Sequence, residues 1–367
     1  MNYDLYTKRK LLIDKECANL IINKFSITKN KSGNIKDNCI DFSYNYIAKG
    51  GQGEIYLLKI KGFNEDLAIK KGYLNENEKE ILIFVSALVD SHVCPNFLLV
   101  YNIKNINKKD YILMEKINGN LNQWLEKEHT DEEWLSFLFQ YLIAVYVLNI
   151  YAKTYHADLK PKNILFKNIF MELKNPYLKY NIKIDNRNYI FNVPTFNILF
   201  IIGDFGHSQS LLFKNNKISI EEIKKKIETN SDFEHIFTLI KRIKVDSIVK
   251  NYNLENILNF LKNNNINFQE YYDKEKSKIY RELNQYPKKI KDDLLLKSLA
   301  YYVIEKKIYD KMNIPIKSKL KLPSPKIQEF ISKNFNGQKD SEEIIKKEFN
   351  QYLKDINEKN IIDYNVL

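Results

Sequence analysis

Cysteine, proline, glycine and tryptophan are all scarce in this sequence. Its 367 residues include three cysteines, eight prolines, ten glycines and two tryptophans. Cys17, Cys39 and Cys94 are widely spaced and form no C-x-x-C pair, which argues against a disulfide framework and against a cysteine-based zinc site. We therefore expect reduced thiols in a cytosol-like compartment. The first ten residues, MNYDLYTKRK, also lack the apolar core of a secretory signal.

One apolar run, residues 134–151, is about as long as a membrane span. Ser136, Gln140 and Asn149 interrupt it. The run follows Thr130-Asp131-Glu132-Glu133, a capping-box pattern typical of the start of a soluble helix. A membrane span is the alternative, but these features favour a buried core helix, so we expect no membrane span.

Acidic residues (46) are fewer than basic ones (58), which gives a net charge of +12. Lysine runs at residues 224–226 and 317–321 are typical of solvated surfaces. Nucleic-acid binding is the alternative, but no RNA- or DNA-binding motif accompanies these runs. An AT-rich genome, indicated by the many Lys, Asn, Ile and Tyr residues, would also raise the lysine count. The 44% of hydrophobic residues can bury a core, so a wholly disordered chain is excluded.

Strand and helix patterns divide the chain into three regions. Residues 1–41 predict a helix at 11–25 and a loop at 28–38. Residues 42–117 predict five short strands and one helix at 76–88, where apolar residues share one helical face. From residue 118 onwards helices dominate, beginning with 121–127 and 131–155. From about residue 219 to the end the pattern is mostly helical, with breaks near Pro287, Pro315 and residues 323–325, and the part from about 238 diverges most.

Two motifs carry polar side chains that fit one reaction. The first is His156-Ala157-Asp158-Leu159-Lys160-Pro161-Lys162-Asn163, and the second is Asp204-Phe205-Gly206. Upstream are a glycine cluster, residues 47–56, and Lys70 in a Leu-Ala-Ile-Lys strand. This set of motifs, in this order, resembles the eukaryotic-type serine/threonine protein kinase family. The resemblance implies an α+β, bilobal fold, with a five-stranded antiparallel lobe (42–117) and a larger helical lobe (118–367).

The resemblance assigns separate roles to the catalytic side chains. Asp158 would accept or orient the proton of the substrate hydroxyl, and Lys160 would neutralise charge on the γ-phosphate. Lys70 would bind the α- and β-phosphates and pair with Glu78, for which Glu76 and Glu80 are competitors. The metal ligands would be Asn163 and Asp204, since Mg²⁺ prefers oxygen ligands. His156 would pack near Phe205 rather than act as a base.

A nucleotide pocket is implied by the same resemblance. The glycine cluster would be the family's phosphate-binding loop, with Ala48 at the position of its first glycine. An ordinary glycine-rich strand turn is the alternative for the cluster. Met114 would be the gatekeeper at the back of the adenine pocket, but it is equally compatible with an ordinary buried methionine. The residues expected to contact ATP are Ala48, Gly50, Gly51, Gly53, Ile55, Ala68, Lys70, Met114, Glu115, Ile117 and Leu165.

Three departures from the family pattern are visible. Ala157 replaces an arginine that in the family pairs with a phosphorylated activation segment, and no A-P-E motif follows Asp204. An insert at about 166–198 predicts a hairpin with strands at 180–184 and 189–191. Asp232 is the candidate for a buried aspartate that supports the catalytic loop. The insert, with Cys94-Pro95-Asn96-Phe97, resembles the kinases of large cytoplasmic DNA viruses.

The resemblance implies a Mg·ATP-dependent serine/threonine protein kinase that transfers the γ-phosphate to protein hydroxyls. Its cofactors would be ATP and Mg²⁺, with Mn²⁺ as an alternative. Its location would be cytoplasmic (the host cytoplasm or the virion, if viral). A pseudokinase or scaffold and a small-molecule kinase are the alternatives. The missing A-P-E favours a small-molecule kinase, whereas Lys160 opposes it. The sequence gives no oligomeric state or specific substrate.

Overall fold

The computed structural model describes residues 13–28, 30–36, 40–50, 53–63, 65–169, 177–337 and 339–352. The chain divides into two compact units. The first comprises Met1–Trp124, Thr130–His235 and Lys333–Leu367, and the second comprises Leu125–His129 and Ile236–Ser332. This division differs from the regions expected from the sequence, whose boundaries near residues 41, 117 and 238 stay predictions.

A six-stranded antiparallel sheet and two helices form the N-terminal part of the first unit. The strand order is β1-β2-β3-β4-β6-β5, so the α+β layout expected of a kinase is confirmed, with six strands rather than five. In chain order the elements are α1 (Lys15–Ser26), β1 (Ser32–Ile35), β2 (Phe42–Gly50), β3 (Gly53–Ile60), β4 (Leu67–Gly72), α2 (Glu76–Asp90), β5 (Val100–Ile106) and β6 (Lys109–Glu115).

The additional strand, β1, lies within residues 28–38, which the sequence predicted to be a loop. Its four residues pair with Phe42 to Asn45 of β2 in antiparallel register. The prediction was wrong because pairing at a sheet edge uses backbone groups. The Ser-Gly-Asn-Ile sequence of β1 has no alternation of apolar and polar residues that would have indicated a strand.

Helix α1 packs against the sheet through a buried aromatic cluster. Asp14 caps the helix by accepting the N–H of Cys17 at 2.7 Å, and residues 11 and 12 of the predicted helix lie outside the described residues. The Phe25 ring is buried, with its centroid 5.3 Å from that of Tyr44 and 4.9 Å from that of Tyr56. This aromatic contact anchors part of the 1–41 extension to the sheet.

The chain continues through β7 (Gly119–Asn120), α3 (Leu121–Trp124) and α4 (Asp131–Ile150). Helix α4 begins with the predicted capping box, formed by Thr130 and Glu133. Within the described ranges, one helix, α4, is long and apolar enough to cross a membrane, but 89% of its most apolar window is buried inside the protein. This burial favours the core helix over the membrane span.

The predicted end of α4 near residue 155 was wrong, because the helix stops at Ile150. Lys153 adopts a left-handed backbone (φ 46°), which a helix cannot accommodate. The elements that follow are β8 (Thr154–Tyr155), β9 (Ile164–Asn168), β10 (Tyr177–Ile184), β11 (Arg187–Pro194), β12 (Ile198–Ile202) and β13 (Gln209–Ser210). The predicted hairpin is confirmed, since β10 pairs with β11 around a turn at residues 185–186.

A buried polar network joins this hairpin to β12, the strand that leads to Asp204. The Tyr180 hydroxyl donates to Asn96 Oδ1 at 2.7 Å, and Asn96 Nδ2 donates to the Phe200 carbonyl at 2.8 Å. Gln140 of α4 accepts the Phe200 N–H at 2.9 Å. Because buried polar groups are costly when unpaired, these bonds specify the register of β12.

The remaining helices are α5 (Ile220–Glu228), α6 (Glu234–Asn251), α7 (Leu254–Asn263), α8 (Phe268–Leu283), α9 (Lys288–Glu305), α10 (Pro325–Asn334) and α11 (Ser341–Glu343), the last continued by a π-helix, Ile344–Phe349. The helical character predicted from about 238 is confirmed. In the second unit, apolar side chains of α7 and α9, including Ile257, Leu299 and Val303, form a buried core.

Candidate active site

The catalytic loop lies between β8 and β9 and brings three of the expected side chains together. Lys160 Nζ lies 2.6 Å from Asp158 Oδ2, and Asn163 Nδ2 donates to the same oxygen at 3.0 Å. Asn163 Nδ2 also donates to the Asp158 carbonyl at 2.8 Å. Asp158 remains 23% exposed and Lys160 41% exposed. A carboxylate fixed by two donors and still open to solvent can receive a substrate proton.

A buried aspartate, Asp232, holds this loop. Its carboxylate accepts the backbone N–H groups of His156 at 2.9 Å and Ala157 at 3.2 Å, which confirms the support role expected for it. Burial raises the pKa of Asp232 to about 6, and the hydrogen bonds from the two N–H groups lower it by a smaller amount. Ala157 adopts φ 67°, a strained backbone for a residue with a Cβ, and the two N–H bonds to Asp232 hold it there.

His156 is buried and serves the loop as a neutral imidazole. Its Nε2 lies 3.1 Å from the Gly203 carbonyl, and its Nδ1 lies 3.4 Å from the Asp158 N–H. These partners suit the tautomer in which Nε2 carries the proton. Burial lowers the pKa of His156 to about 4, and its ring packs 5.0 Å from that of Phe205. This packing confirms the expected contact with Phe205.

Asp204 stands exposed in the turn after β12. Its backbone is left-handed (φ 61°), and the N–H of the preceding Gly203 donates to the Asn163 carbonyl at 3.0 Å. The charges of Asp204 and Asp158 both raise the pKa of the His156 imidazole, against the larger effect of burial. The turn and the catalytic loop are therefore tied together through Gly203 and His156.

The oxygen donors fit a magnesium ion held in part by substrate. Asn163 uses its amide nitrogen on Asp158, which leaves Oδ1 as its acceptor, and Asp204 offers an exposed carboxylate. No group of three or more His, Cys, Asp or Glu side chains suited to a metal occurs among the described residues. Mg²⁺ commonly takes one or two carboxylates and completes its shell with phosphates and water, so two protein oxygens suffice.

Lys70 of β4 and Glu78 of α2 face each other, with Nζ and Oε1 3.8 Å apart. Glu78 is 2% exposed. Burial raises the pKa of the Glu78 carboxyl, the Lys70 ammonium opposes that rise, and the charge of Asp204 adds to it. Glu76, a competitor for Lys70, instead pairs with Lys79 at 2.7 Å.

The expected nucleotide contacts lie on neighbouring strands of the sheet. Ala48 of β2 is opposite Ile55 of β3, and Ala68 of β4 is opposite Met114 of β6. A Cβ at Gly53 would lie 2.5 Å from the Lys71 carbonyl, so a glycine there is required by strand packing, whatever it binds. Gly50 ends β2, and Gly51 lies outside the described residues.

At the hinge after β6, the N–H and the carboxylate of Glu115 are both engaged within the protein. The Glu115 N–H donates to the Leu99 carbonyl at 3.1 Å, and its buried carboxylate accepts the Leu99 N–H and contacts Lys167 at 3.3 Å. Neither group is therefore available to an adenine edge. In the described part of the chain the Ile117 N–H has no backbone partner. Leu165 packs against Gly203, since a Cβ added to Gly203 would lie 2.8 Å from the Leu165 Cδ1 atom.

Two further residues, Asn75 and Asn77, reach this site and were not expected from the sequence. Their amides donate to carbonyls of the Asp204 turn, at Gly206 and Ser208. An asparagine at the start of a helix predicts only a cap, so the sequence held no signal for these long-range bonds.

Comparison with known proteins gave partial similarities. No protein-family model matches the chain. A probable serine/threonine-protein kinase, 380R of Invertebrate iridescent virus 6, is 28% identical over 193 residues, which is 45% of this chain and 36% of that protein. The match thus spans about a third of the viral protein. A solved kinase domain shares 14% identity over 52% of this chain and 57% of its own, with a TM-score of 0.34.

The similarity to the viral protein and the loop geometry agree. Asp158, Lys160 and Asn163 converge on a loop held by Asp232, and the viral protein that is similar to part of this chain is named as a probable kinase. The chain is thus similar to a protein kinase over 45% of its length.

Proposed function

We propose that this chain is a Mg·ATP-dependent protein kinase that phosphorylates serine and threonine hydroxyls. The observation that carries the proposal is the Asp158 carboxylate, held 2.6 Å from Lys160 Nζ and 3.0 Å from Asn163 Nδ2 while still accessible to solvent. Phosphoryl transfer needs little covalent help from a protein, but it needs positioned charges around the moving group. This arrangement supplies them.

In the proposed reaction Asp158 receives the proton of the substrate hydroxyl as its oxygen bonds to the γ-phosphorus. The bond between that phosphorus and the β–γ bridging oxygen breaks, and ADP leaves with the electron pair. Lys160, beside Asp158, offsets the negative charge of the transferring group. Lys70, oriented by Glu78 at 3.8 Å, meets the α- and β-phosphates.

Asn163 and Asp204 are the residues that would hold Mg²⁺, or Mn²⁺ in its place. When bound, the ion would supply positive charge that offsets the negative charge of the phosphates. The adenine would lie between β2–β4 and Leu165, with the Ile117 N–H as its hinge donor. The proposal also includes a protein substrate and a cytoplasmic location, which would be the host cytoplasm or the virion if the protein is viral. The lysine of the D-L-K-P-x-N loop supports serine and threonine as acceptors.

The test is transfer of labelled γ-phosphate from Mg·ATP to acidic proteins, basic proteins, small metabolites and the chain itself. Label on serine or threonine that is absent with Asp158→Ala supports the proposal. Label confined to metabolites would replace it with a small-molecule kinase. ATP binding without transfer to any acceptor would replace it with a scaffold.

A further inference from the structure

The start of helix α2 is joined to the Asp204 turn by two asparagine side chains. Asn75 Nδ2 donates to the Gly206 carbonyl at 3.2 Å, and Asn77 Nδ2 donates to the Ser208 carbonyl at 2.7 Å. Asn75 also caps α2, since its Oδ1 accepts the Glu78 N–H at 2.8 Å. One side chain therefore fixes both the helix that carries Glu78 and the turn that carries Asp204.

The burial of Asn77 argues that its role is not packing. It is 4% exposed, and its Oδ1 has no hydrogen-bond partner within the described residues. A buried acceptor without a partner destabilises a fold, and an apolar side chain of similar volume would avoid that loss. What the amide provides instead is the bond to Ser208.

Neutral groups also fold the segment that follows, residues 206–216. Strand β13 pairs with β8, and Ser208 Oγ donates to the His156 carbonyl at 3.2 Å. The Asn216 amide accepts the Ser210 N–H at 2.8 Å and donates to the Ser210 carbonyl at 2.6 Å. The Phe213 ring packs 6.3 Å from that of Phe84 on α2. These contacts require no phosphoryl group on the segment.

We propose that Asn75 and Asn77 are positioning residues that hold the Asp204 turn against α2 and keep the catalytic segment in place without phosphorylation. The inference rests on the proposed kinase function, because its effect is read in phosphoryl transfer. Ala157 is consistent with it, since this position brings no charge to the segment.

The test compares the wild-type chain with Asn75→Ser combined with Asn77→Leu, both treated with phosphatase and checked by mass spectrometry. Serine retains the helix cap but cannot reach Gly206, and leucine fills the volume of Asn77 without its amide. The matched control is Asn253→Ser, the same change at the cap of α7, where Asn253 Oδ1 accepts the Asn256 N–H. Tm, kcat, the KM for ATP and amide hydrogen exchange of residues 206–216 are measured.

We expect the unphosphorylated wild type and Asn253→Ser to be active. In the double variant kcat should fall about tenfold, the effect of ~1.4 kcal/mol, with a near-normal Tm and a nearly unchanged KM for ATP. Exchange in 206–216 should become faster, a result that does not depend on activity. If the double variant falls in Tm, Asn77→Leu alone is compared in the same way.

Two results would overturn the inference and leave the proposed function standing. One is a wild type whose activity is lost with phosphatase treatment and returns on phosphorylation. The other is a double variant that matches the wild type in kcat and in exchange. A third result would separate the two proposals. If the wild type transfers no phosphate with or without phosphatase treatment, and the double variant still exchanges faster in 206–216, the kinase function is overturned while the structural link stands.

Discussion

The Asp232 carboxylate accepts the backbone N–H of His156 at 2.9 Å, although 76 residues separate the two. The same carboxylate accepts the N–H of Ala157, so one buried side chain fixes the two residues immediately before Asp158. Asp158, the proposed base, is thus positioned by a residue that contacts no substrate in the proposed reaction.

Asp232→Asn should lower both stability and activity. The amide retains one acceptor oxygen, but its NH₂ faces the second backbone donor, so one buried N–H loses its partner. We expect a loss of about 2 kcal/mol in the free energy of unfolding and at least a tenfold fall in kcat, measured by urea unfolding and phosphate transfer. Exposed Asp246→Asn, on α6, is the control. Normal values for Asp232→Asn would show that the carboxylate does not hold the loop.

Lys70→Met should reduce kcat about 10²-fold, the usual effect of removing one donor to a developing negative charge. Glu78→Gln should reduce it less, because Glu78 acts by orienting Lys70 across 3.8 Å. The double variant should be no worse than Lys70→Met alone, since residues that act as a unit are not additive. Glu76→Gln, two residues before Glu78 on the same helix and paired with Lys79, is the matched control. Additive losses would contradict the coupling.

His156 should make the folded protein less stable as the pH falls. Burial lowers its pKa to about 4 in the folded protein, whereas an exposed histidine in the unfolded chain has a pKa near 6.5. Between these two pH values the unfolded chain binds a proton that the folded protein does not bind. The resulting stability is present above pH ~6.5 and is lost as the pH falls towards ~4. Asp232, with its pKa raised to about 6, acts in the opposite direction, so a variant is needed to isolate His156.

The measurement is urea unfolding of the wild type and of His156→Gln at about pH 7 and about pH 5. The stability lost between these two conditions should be ~2 kcal/mol smaller in the variant. His92→Gln, at an exposed position, should behave as the wild type. Equal losses in all three proteins would mean that the buried imidazole is not neutral.

Much of the site's arrangement could be predicted because its residues follow motifs of fixed spacing. The spacing of the catalytic-loop motif predicted that Asp158, Lys160 and Asn163 are neighbours, as the structure has them, and the Asp185 turn predicted the hairpin. Strand β1 could not be predicted, since an edge strand can be specified by backbone pairing alone. The bonds from Asn75 and Asn77 were equally hidden, because their partners are carbonyls 131 residues away, and a carbonyl has no residue-type signature.

The hinge shows a different limit. Glu115 was expected to meet the adenine, and the strand it ends was predicted correctly. Its N–H and carboxylate are nevertheless both engaged within the protein, on Leu99 and Lys167. A buried glutamate cannot be told from an exposed one by its immediate neighbours in sequence, because its partners Leu99 and Lys167 lie 16 and 52 residues away.

The most direct test of the account is the rate of γ-phosphate transfer by Asp158→Asn relative to the wild type. The amide preserves the shape of the side chain but cannot take a proton, so kcat should fall about 10²- to 10⁴-fold, while Tm and ATP binding stay close to normal. Asp131→Asn, in the first turn of α4, controls for the substitution itself. Transfer at the wild-type rate by Asp158→Asn would contradict the account, since Asp158 would then not be the base.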